Sequence, residues 1–261
     1  MKKKARYIIL IILLLIYSMA IFIFFGKDYL KKQAQETIIV IGNNTIWKRQ
    51  KQQWTSYSSL SAKQSLNWKT FNTYIGGKKL GKYYLWNDGE KWYLFDNEKN
   101  AYSYNEELFA YKSNYNISVK EFTTEDTNDY TYLKQLLKEN NISEEGELTI
   151  SNLSKIDIDN DGTLENFYVF SNIFNSEVEQ PKNNYSFVFM EKNNKLYMIY
   201  SLVDENVGLS GCLPIISYAL DVDNDNVNEI VLNCSQYDEL PPINTLYKFE
   251  KDKFVEIVNN K

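Results

Sequence analysis

The sequence predicts a mainly β fold with a minor α-helical part: an N-terminal transmembrane helix followed by an antiparallel β-rich domain. Three observations support this prediction. Residues 7–25 form an uncharged apolar run, short strand-prone segments alternate with turns rich in Asn, Asp and Gly, and a C-terminal segment recurs 64 residues later. The chain has 261 residues, of which 44% are hydrophobic, and this is enough to form a core.

The apolar run reads YIILIILLLIYSMAIFIFF and contains no charged side chain. At a rise of about 1.5 Å per residue, such a helix is about as long as a bilayer core is thick, so the run predicts a membrane anchor. A cleaved signal peptide is the alternative, because Ser18 and Ala20 are small residues of the kind found at cleavage sites, and a buried core helix is a third. The run continues beyond Ala20, which favours an uncleaved anchor.

The charges on either side of the run predict its orientation. Four cations lie within residues 1–6, and cations favour the cytoplasmic side, so we expect a cytoplasmic tip and an extracellular domain from residue 26 onward. Of the 29 Lys and Arg residues, 25 then remain outside against 34 acids, which gives that domain a net charge of −9. This charge argues against nucleic acid and against binding of the domain to anionic lipid. The expected protein therefore crosses the cell membrane once.

Beyond the anchor we expect three parts. Residues 26–71 are polar and are interpreted as a stalk or linker with short elements, including two strands around residues 42–44. Residues 72–145 are expected to form aromatic β-hairpins and a helix. The strongest hairpin signal is Asn87, Asp88 and Gly89, because they lie between two aromatic, strand-prone segments. Residues 146–261 contain the repeat.

One amphipathic helix is expected over residues 123–140. Acids and Thr residues lie at its start and lysines lie near its end, as capping and the helix dipole favour. Four apolar side chains form a stripe at helical spacing: Tyr130, Leu133, Leu136 and Leu137. We interpret the stripe as core packing rather than as a partner site.

The repeat is seen when residues 155–172, KIDIDNDGTLENFYVFSN, are set beside residues 219–236, ALDVDNDNVNEIVLNCSQ. The hydrophobic and acidic positions coincide, and each segment is followed by a strand, a polar turn and a second strand. Each copy therefore predicts a blade-like unit of four short antiparallel strands, with an acidic loop between the first two.

The acidic loops predict two sites for a hard cation. Carboxylates at positions 1, 3 and 5 of a tight loop converge on one point, where a hard cation offsets their repulsion. Position 6 requires a backbone conformation that Gly162 adopts easily and Asn226 tolerates, and position 7 is expected to offer its carbonyl oxygen. The expected ligands are Asp157, Asp159, Asp161, Thr163 and Glu165 in one loop, and Asp221, Asp223, Asp225, Val227 and Glu229 in the other.

These loops are not EF-hands, because position 12 is Tyr168 or Leu232 rather than a bidentate glutamate, and because strand-like sequence follows. The pattern D-x-D-x-D-[GN]-x-x-E before an apolar strand resembles the loop of FG-GAP or VCBS-type repeats over about residues 150–261. That resemblance implies structural Ca²⁺ that holds the strands of a blade together. The alternative is a pair of solvated turns without an ion, since Asp and Asn are common in turns.

Cys212 and Cys234 flank the second acidic loop. An even number of cysteines outside the cytoplasm favours a disulfide, and two buried free thiols are the alternative. A nucleophilic cysteine is not expected, because the chain contains no histidine to act as its base.

The absence of histidine excludes Ser-His-Asp and Cys-His catalysis and His-ligated zinc or haem. The abundance of Lys, Asn, Ile and Tyr indicates an AT-rich bacterial genome. We therefore expect a non-catalytic calcium-binding domain that acts in binding or assembly at the bacterial cell envelope, with a cell-wall polymer or an envelope protein as partner. The alternatives are a carboxylate-based envelope hydrolase and a metal-free accessory subunit of a membrane complex.

Overall fold

In a computed structural model, the described part of the chain is mainly antiparallel β, with its strands arranged in three sheets. The structure describes residues 36–104, 108–143, 147–173, 184–204, 212–236 and 241–260. The N-terminal run over residues 7–25 lies outside the described residues. No helix within the described ranges is both long and apolar enough to cross a membrane. The transmembrane anchor therefore stays a prediction.

The amino-terminal sheet has eight strands in the order β3-β2-β1-β8-β4-β5-β6-β7. Its strands are β1 Thr37–Ile41, β2 Thr45–Gln50, β3 Gln53–Tyr57, β4 Lys69–Ile75, β5 Lys78–Asn87, β6 Trp92–Phe95, β7 Ala101–Tyr104 and β8 Leu108–Lys112. The two strands expected around residues 42–44 are β1 and β2, and the expected hairpin at Asn87 joins β5 to β6. Both turn predictions are confirmed.

The two copies of the repeat form one sheet each. The first repeat sheet has the order β10-β11-β12-β13-β14, and the second repeat sheet has the order β18-β17-β16-β15-β9. The first contains β10 Thr124–Asp126, β11 Ile150–Ile156, β12 Glu165–Ser171, β13 Asn184–Lys192 and β14 Lys195–Asp204. The second contains β9 Ser118–Lys120, β15 Cys212–Asp221, β16 Glu229–Gln236, β17 Ile243–Glu250 and β18 Lys253–Asn259. Each copy supplies four consecutive strands, as predicted, and a three-residue edge strand from outside the repeat completes the sheet.

Two short helices are present among the described residues: α1 Leu60–Gln64 and α2 Thr131–Glu139. The helix expected over residues 123–140 is therefore shorter than predicted. Its first part is β10, because Thr124–Asp126 pair with Ser154, Leu153 and Asn152 of β11. The helix begins at Thr131, where the backbone N–H donates to the Asp129 carboxylate at 3.1 Å.

The sheet pairing also differs from the expected division of the chain. The expected boundary at residue 71 falls inside β4, and β8 pairs with both β1 and β4, so strands before and after this residue belong to one sheet. Residues 118–126, expected with the aromatic hairpins, supply the edge strands of the two repeat sheets. Cross-strand pairing over long sequence separations decided this arrangement, and local composition does not encode it.

The sheets stack in layers, with the second repeat sheet in the middle. Alternate side chains of its strands point in opposite directions, so Leu220 and Val231 pack against the amino-terminal sheet. Ala219 and Ile230 pack against the first repeat sheet. The leucines of α2 cover the far face of the first repeat sheet through Phe170, Phe187 and Phe189, which confirms that the stripe is core packing.

Cys212 and Cys234 form a disulfide between β15 and β16, as predicted, with their Cα atoms 5.3 Å apart. We expect the double variant Cys212→Ala, Cys234→Ala to lose about 3 kcal/mol of unfolding free energy, because a closed loop of this size restricts the unfolded chain. Urea denaturation measures the loss. Reductant should lower the stability of the wild type and leave that of the variant unchanged. Equal stability of the oxidised wild type and the variant would contradict this expectation.

Candidate metal sites

The two acidic loops lie side by side. The first acidic loop (residues 157–165) joins β11 to β12, and the second acidic loop (residues 221–229) joins β15 to β16. Because both repeat sheets have the same strand order and pack face to face, they bring the two loops to the same edge of the stack. All ten ligands expected from the sequence lie within these two loops or at the first residue of the following strand.

The first residue of each loop organises the turn. The Asp157 carboxylate accepts hydrogen bonds from the backbone N–H groups of Asp161 at 3.1 Å and Gly162 at 3.2 Å. Asp221 accepts equivalent bonds from Asp225 and Asn226, both at 3.2 Å. This agreement shows that the repeat detected in the sequence is also a repeat of local structure.

Position 6 has the left-handed backbone that the sequence predicted. The φ angle is 89° at Gly162 and 71° at Asn226. Glycine has no Cβ to clash there, and asparagine is the side chain that tolerates this region best. Asn226, which occupies the position of Gly162 in the second loop, therefore adopts the same left-handed backbone.

The ninth residue closes each loop. Glu165 accepts a hydrogen bond from the Ile158 N–H at 2.9 Å, and Glu229 accepts one from the Val222 N–H, also at 2.9 Å. Each glutamate is at least 96% buried. A hydrogen bond therefore closes the base of each loop, and the expected ligation of a metal by Glu165 and Glu229 stays a prediction.

The two loops gather different sets of carboxylates. In the first, ligand atoms of Asp157, Asp159 and Glu165 lie within 4.8 Å of one another. In the second, the set is Asp221, Asp223 and Asp225. Either set can hold a metal ion.

Two of the expected carboxylate ligands, Asp161 and Glu229, lie outside these sets. Asp161 lies outside the first set, and its carboxylate accepts the Thr163 N–H at 2.7 Å. The Val227 N–H donates to Asp225 at 3.0 Å in the same way. The carbonyl ligands expected from Thr163 and Val227 stay predictions.

A lysine from the third strand of each repeat enters the loop. Lys192 Nζ lies 2.8 Å from Asp159 Oδ2 and 2.6 Å from Glu165 Oε1. Lys248 Nζ lies 2.6 Å from Asp223 Oδ2 and from Asp225 Oδ2, and 3.3 Å from Glu229 Oε1. Each loop therefore carries four carboxylates against one ammonium group.

Burial and charge shift the pKa values in the second loop. Burial raises the pKa of Glu229 to about 8, and the nearby Asp223 carboxylate acts in the same direction. Burial by itself lowers the pKa of Lys248, but hydrogen bonds to Asp223 and Asp225 outweigh it, and the pKa lies above its ordinary value. The lysine is therefore an ammonium ion, and its charge attracts the carboxylates that surround it.

Three buried carboxylate oxygens in the loops have no hydrogen-bond partner among the described residues. They are Asp159 Oδ1, Asp223 Oδ1 and Glu229 Oε1. Lys248 lies near the last of these without the geometry of a hydrogen bond. Buried carboxylate oxygens without a partner are costly, and a hard cation such as Ca²⁺ is coordinated by oxygens of this kind. The donor set fits Ca²⁺ on this observation.

Hydrogen bonds join the loops to each other. The Asn228 N–H donates to the Ile158 carbonyl at 2.7 Å, and Asn228 Nδ2 donates to the Asp157 carbonyl at 2.8 Å. Asn160 Nδ2 donates to the Asn226 carbonyl at 2.9 Å. The first ligand position of one loop is thereby held by a buried side chain of the other.

The sequence interpretation missed Lys192, Lys248 and Asn228. Each lysine lies one position beyond the last residue that its strand pairs with the second strand, facing Glu165 or Glu229. The register between the second and third strands identifies the two lysines. The distance along the chain to the following turn does not, because it differs between the two copies. Asn228 has no asparagine counterpart, because Leu164 occupies its place in the first loop.

Comparison with known proteins finds no family model, no curated protein and no solved structure that matches this chain. The interpretation of the loops therefore rests on their own geometry.

We expect Asn228→Ala to lower the unfolding free energy by about 1–3 kcal/mol, because the Asp157 carbonyl loses its cross-loop donor at a buried site. Urea denaturation measures the change. Asn224→Gly is the matched control: Asn224 is an exposed asparagine of the same loop with φ 62°, so glycine fits there, and we expect a change within about 0.5 kcal/mol. Equal losses in the two variants would show that the cross-loop bond does not stabilise the fold.

Proposed function

We propose that this protein is a single-pass, membrane-anchored bacterial surface protein whose β-rich domain binds Ca²⁺ in both acidic loops. In this proposal calcium is structural, and the domain acts in binding or assembly at the cell envelope without catalysis. The observation that carries the proposal is the duplicated carboxylate loop, in which buried oxygens lack partners. The resemblance of the loop sequence to FG-GAP or VCBS-type repeats supports the same ion.

Charge favours a cation at each loop. In the first loop four carboxylates face one lysine, which leaves three negative charges uncompensated. In the second loop Glu229, with its pKa of about 8, is mostly protonated near pH 7 without an ion, so three aspartates face Lys248 and two negative charges are uncompensated. A divalent cation offsets most of this excess, and the neighbouring loop adds further negative potential. Asp157, Asp159 and Glu165 would hold the ion in the first loop, and Asp221, Asp223 and Asp225 in the second.

The envelope location is supported by two features. The uncharged run over residues 7–25 has the length of a membrane span. The Cys212–Cys234 disulfide is typical of proteins that fold in an oxidising compartment, whereas cytosolic thiols are kept reduced. Together they favour a domain on the outer side of the membrane.

The lysines favour a second candidate, in which the loops are metal-free and the domain is an accessory subunit of a membrane complex. Lys192 and Lys248 contact carboxylates of the same sets that an ion would need. In this candidate each ammonium group is a permanent counter-ion. In the leading proposal, the ammonium and the metal compete for those carboxylates.

Calcium should raise the thermal stability of the full-length chain. If free Ca²⁺ is about 100 times its Kd, each site adds about 2.7 kcal/mol of unfolding free energy, which corresponds to a Tm increase of roughly 5–10 °C. Thermal melts in EDTA and in about 2 mM Ca²⁺ measure this difference.

Titration calorimetry should give two calcium ions per chain for the wild type, and one each for Asp157→Asn and Asp221→Asn. Glu98→Gln removes an exposed carboxylate outside the loops and should leave two. A Tm that does not change between EDTA and Ca²⁺ would reject calcium binding and leave the metal-free candidate.

The variant Lys248→Met tests whether the lysine competes with Ca²⁺ for the loop carboxylates or only neutralises them. The methionine keeps much of the apolar stem and removes the charge from a largely buried site, so we expect the variant in EDTA to lose about 3–5 kcal/mol. Because the competitor is absent, its Tm increase with Ca²⁺ should exceed that of the wild type. Lys253→Met, at an exposed lysine, should match the wild type in both conditions. An equal calcium response in Lys248→Met and the wild type would contradict competition.

A further inference from the structure

A second site lies where the three sheets meet. A cleft of about 610 Å³ opens between the β4–β5 turn, the segment that joins β9 to β10, and the strands β11 and β15. Its volume is in the range of small-ligand and peptide-anchor pockets, and such pockets are common at junctions between structural units. None of the carboxylates of the acidic loops lines it, so the cleft is distinct from the proposed calcium sites.

The cleft is basic in a domain that is acidic overall. Lys78 reaches it from the amino-terminal sheet, Lys120 from the second repeat sheet and Lys155 from the first. None of these three lysines forms an ion pair with a carboxylate in the part of the chain that the structure describes. The only described acid in the lining is Glu121, which leaves an excess of two positive charges. An anion therefore complements this surface.

The floor of the cleft is apolar. Ile216 and Tyr218 are buried there, and Phe122 is partly buried. Leu164, at the rim, leaves 59% of its surface exposed. An apolar group that enters the cleft would cover Leu164 and contact the rings below, so the favoured ligand carries an apolar part as well as negative charge.

Strand β15 is irregular where it borders the cleft. A β-bulge between Ile216 and Tyr218 leaves Ser217 out of the register with β16. On the other side of the strand, β9 pairs only with Ala219, Leu220 and Asp221. Among the described strands Ser217 therefore has no register partner, and bulges of this kind redirect main-chain and side-chain groups toward sites. An extended peptide has the amide groups to pair with such a strand.

We propose that this cleft binds an acidic, extended peptide segment of an envelope protein, with one apolar side chain seated against Phe122, Ile216 and Tyr218. The three lysines contact the carboxylates on either side of that side chain. A phosphodiester polymer of the cell wall would complement the lysines but has no group for the apolar floor. The inference rests on the proposed binding role of the domain and does not depend on calcium.

Fluorescence anisotropy with the full-length chain in detergent tests the proposal. The probe is a fluorescein-labelled peptide of alternating Glu and Asp with a central Phe, and two analogues replace the acids by Gln and Asn or the Phe by Gly. We expect the acidic Phe peptide to bind more tightly than either analogue. Its affinity should fall when NaCl is raised from about 50 mM to about 300 mM, because salt screens exposed charges.

Two sets of lysine variants carry the same change in net charge. The triple variant Lys78→Gln, Lys120→Gln, Lys155→Gln should bind the acidic peptide roughly 10-fold or more weakly than the wild type. The control triple variant Lys112→Gln, Lys138→Gln, Lys253→Gln alters exposed lysines outside the cleft and should stay within about 2-fold. Thermal melts of both variants confirm that they fold.

Leu164→Ser tests the apolar contact separately. It should weaken the Phe peptide and leave the Gly analogue unchanged, since only the first has a side chain to place there. Equal peptide binding by the two triple variants, or no binding by the wild type, would overturn the inference. Tighter lysine-dependent binding of polyglycerol phosphate than of the peptide would also overturn it.

Peptide titrations and thermal melts, each carried out in EDTA and in Ca²⁺, separate the two proposals. Lysine-dependent peptide binding together with a calcium-independent Tm rejects the calcium sites alone. A calcium-dependent Tm without lysine-dependent binding rejects the peptide cleft alone.

Discussion

The contact between the two acidic loops is the interaction on which the rest of the site depends. It brings eight carboxylates, four from each loop, to one edge of the sheet stack. Like charges at short range in a partly buried environment repel strongly, so the structure has to offset this repulsion. Backbone N–H groups bind the first and ninth residues of each loop, and Lys192 or Lys248 supplies a positive charge. The oxygens that remain without partners make a further cation favourable.

The stacking of the sheets explains why the loops meet. The second repeat sheet is apolar on both faces, so it has to be covered on both sides, by the amino-terminal sheet and by the first repeat sheet. Face-to-face packing of two sheets with the same strand order then places equivalent loops next to each other. Asn228 completes the contact, because its buried side chain in one loop holds the backbone of the other.

The same stacking separates charge within the domain. Acidic side chains gather where the loops meet, whereas Lys78, Lys120 and Lys155 gather at the junction of all three sheets. Leu164 belongs to the first acidic loop and also lines the basic cleft. A ligand in the cleft would therefore contact a residue of the first acidic loop. This arrangement gives an acidic domain one surface that complements an anion.

Local sequence determined the features that depend on neighbours in the chain. The hairpin at Asn87 and the left-handed position at Gly162 or Asn226 both follow from the preferences of single residues and short turns. The repeat predicted four strands for each copy, because the two aligned segments show the same order of strands and turns. The even number of cysteines predicted the disulfide.

Tertiary structure decided everything that joins distant parts of the chain. Thr124–Asp126 became an edge strand rather than the first turn of a helix, because β11 offered a strand to pair with. Strand register placed Lys192 and Lys248 opposite the closing glutamates, and sheet stacking placed Asn228 against Asp157. A one-residue change in register reverses the direction of every side chain in a strand, so these contacts are set only when the sheets assemble. The sequence by itself thus determined which carboxylates form each loop, and the packing of the sheets decided which charges they meet.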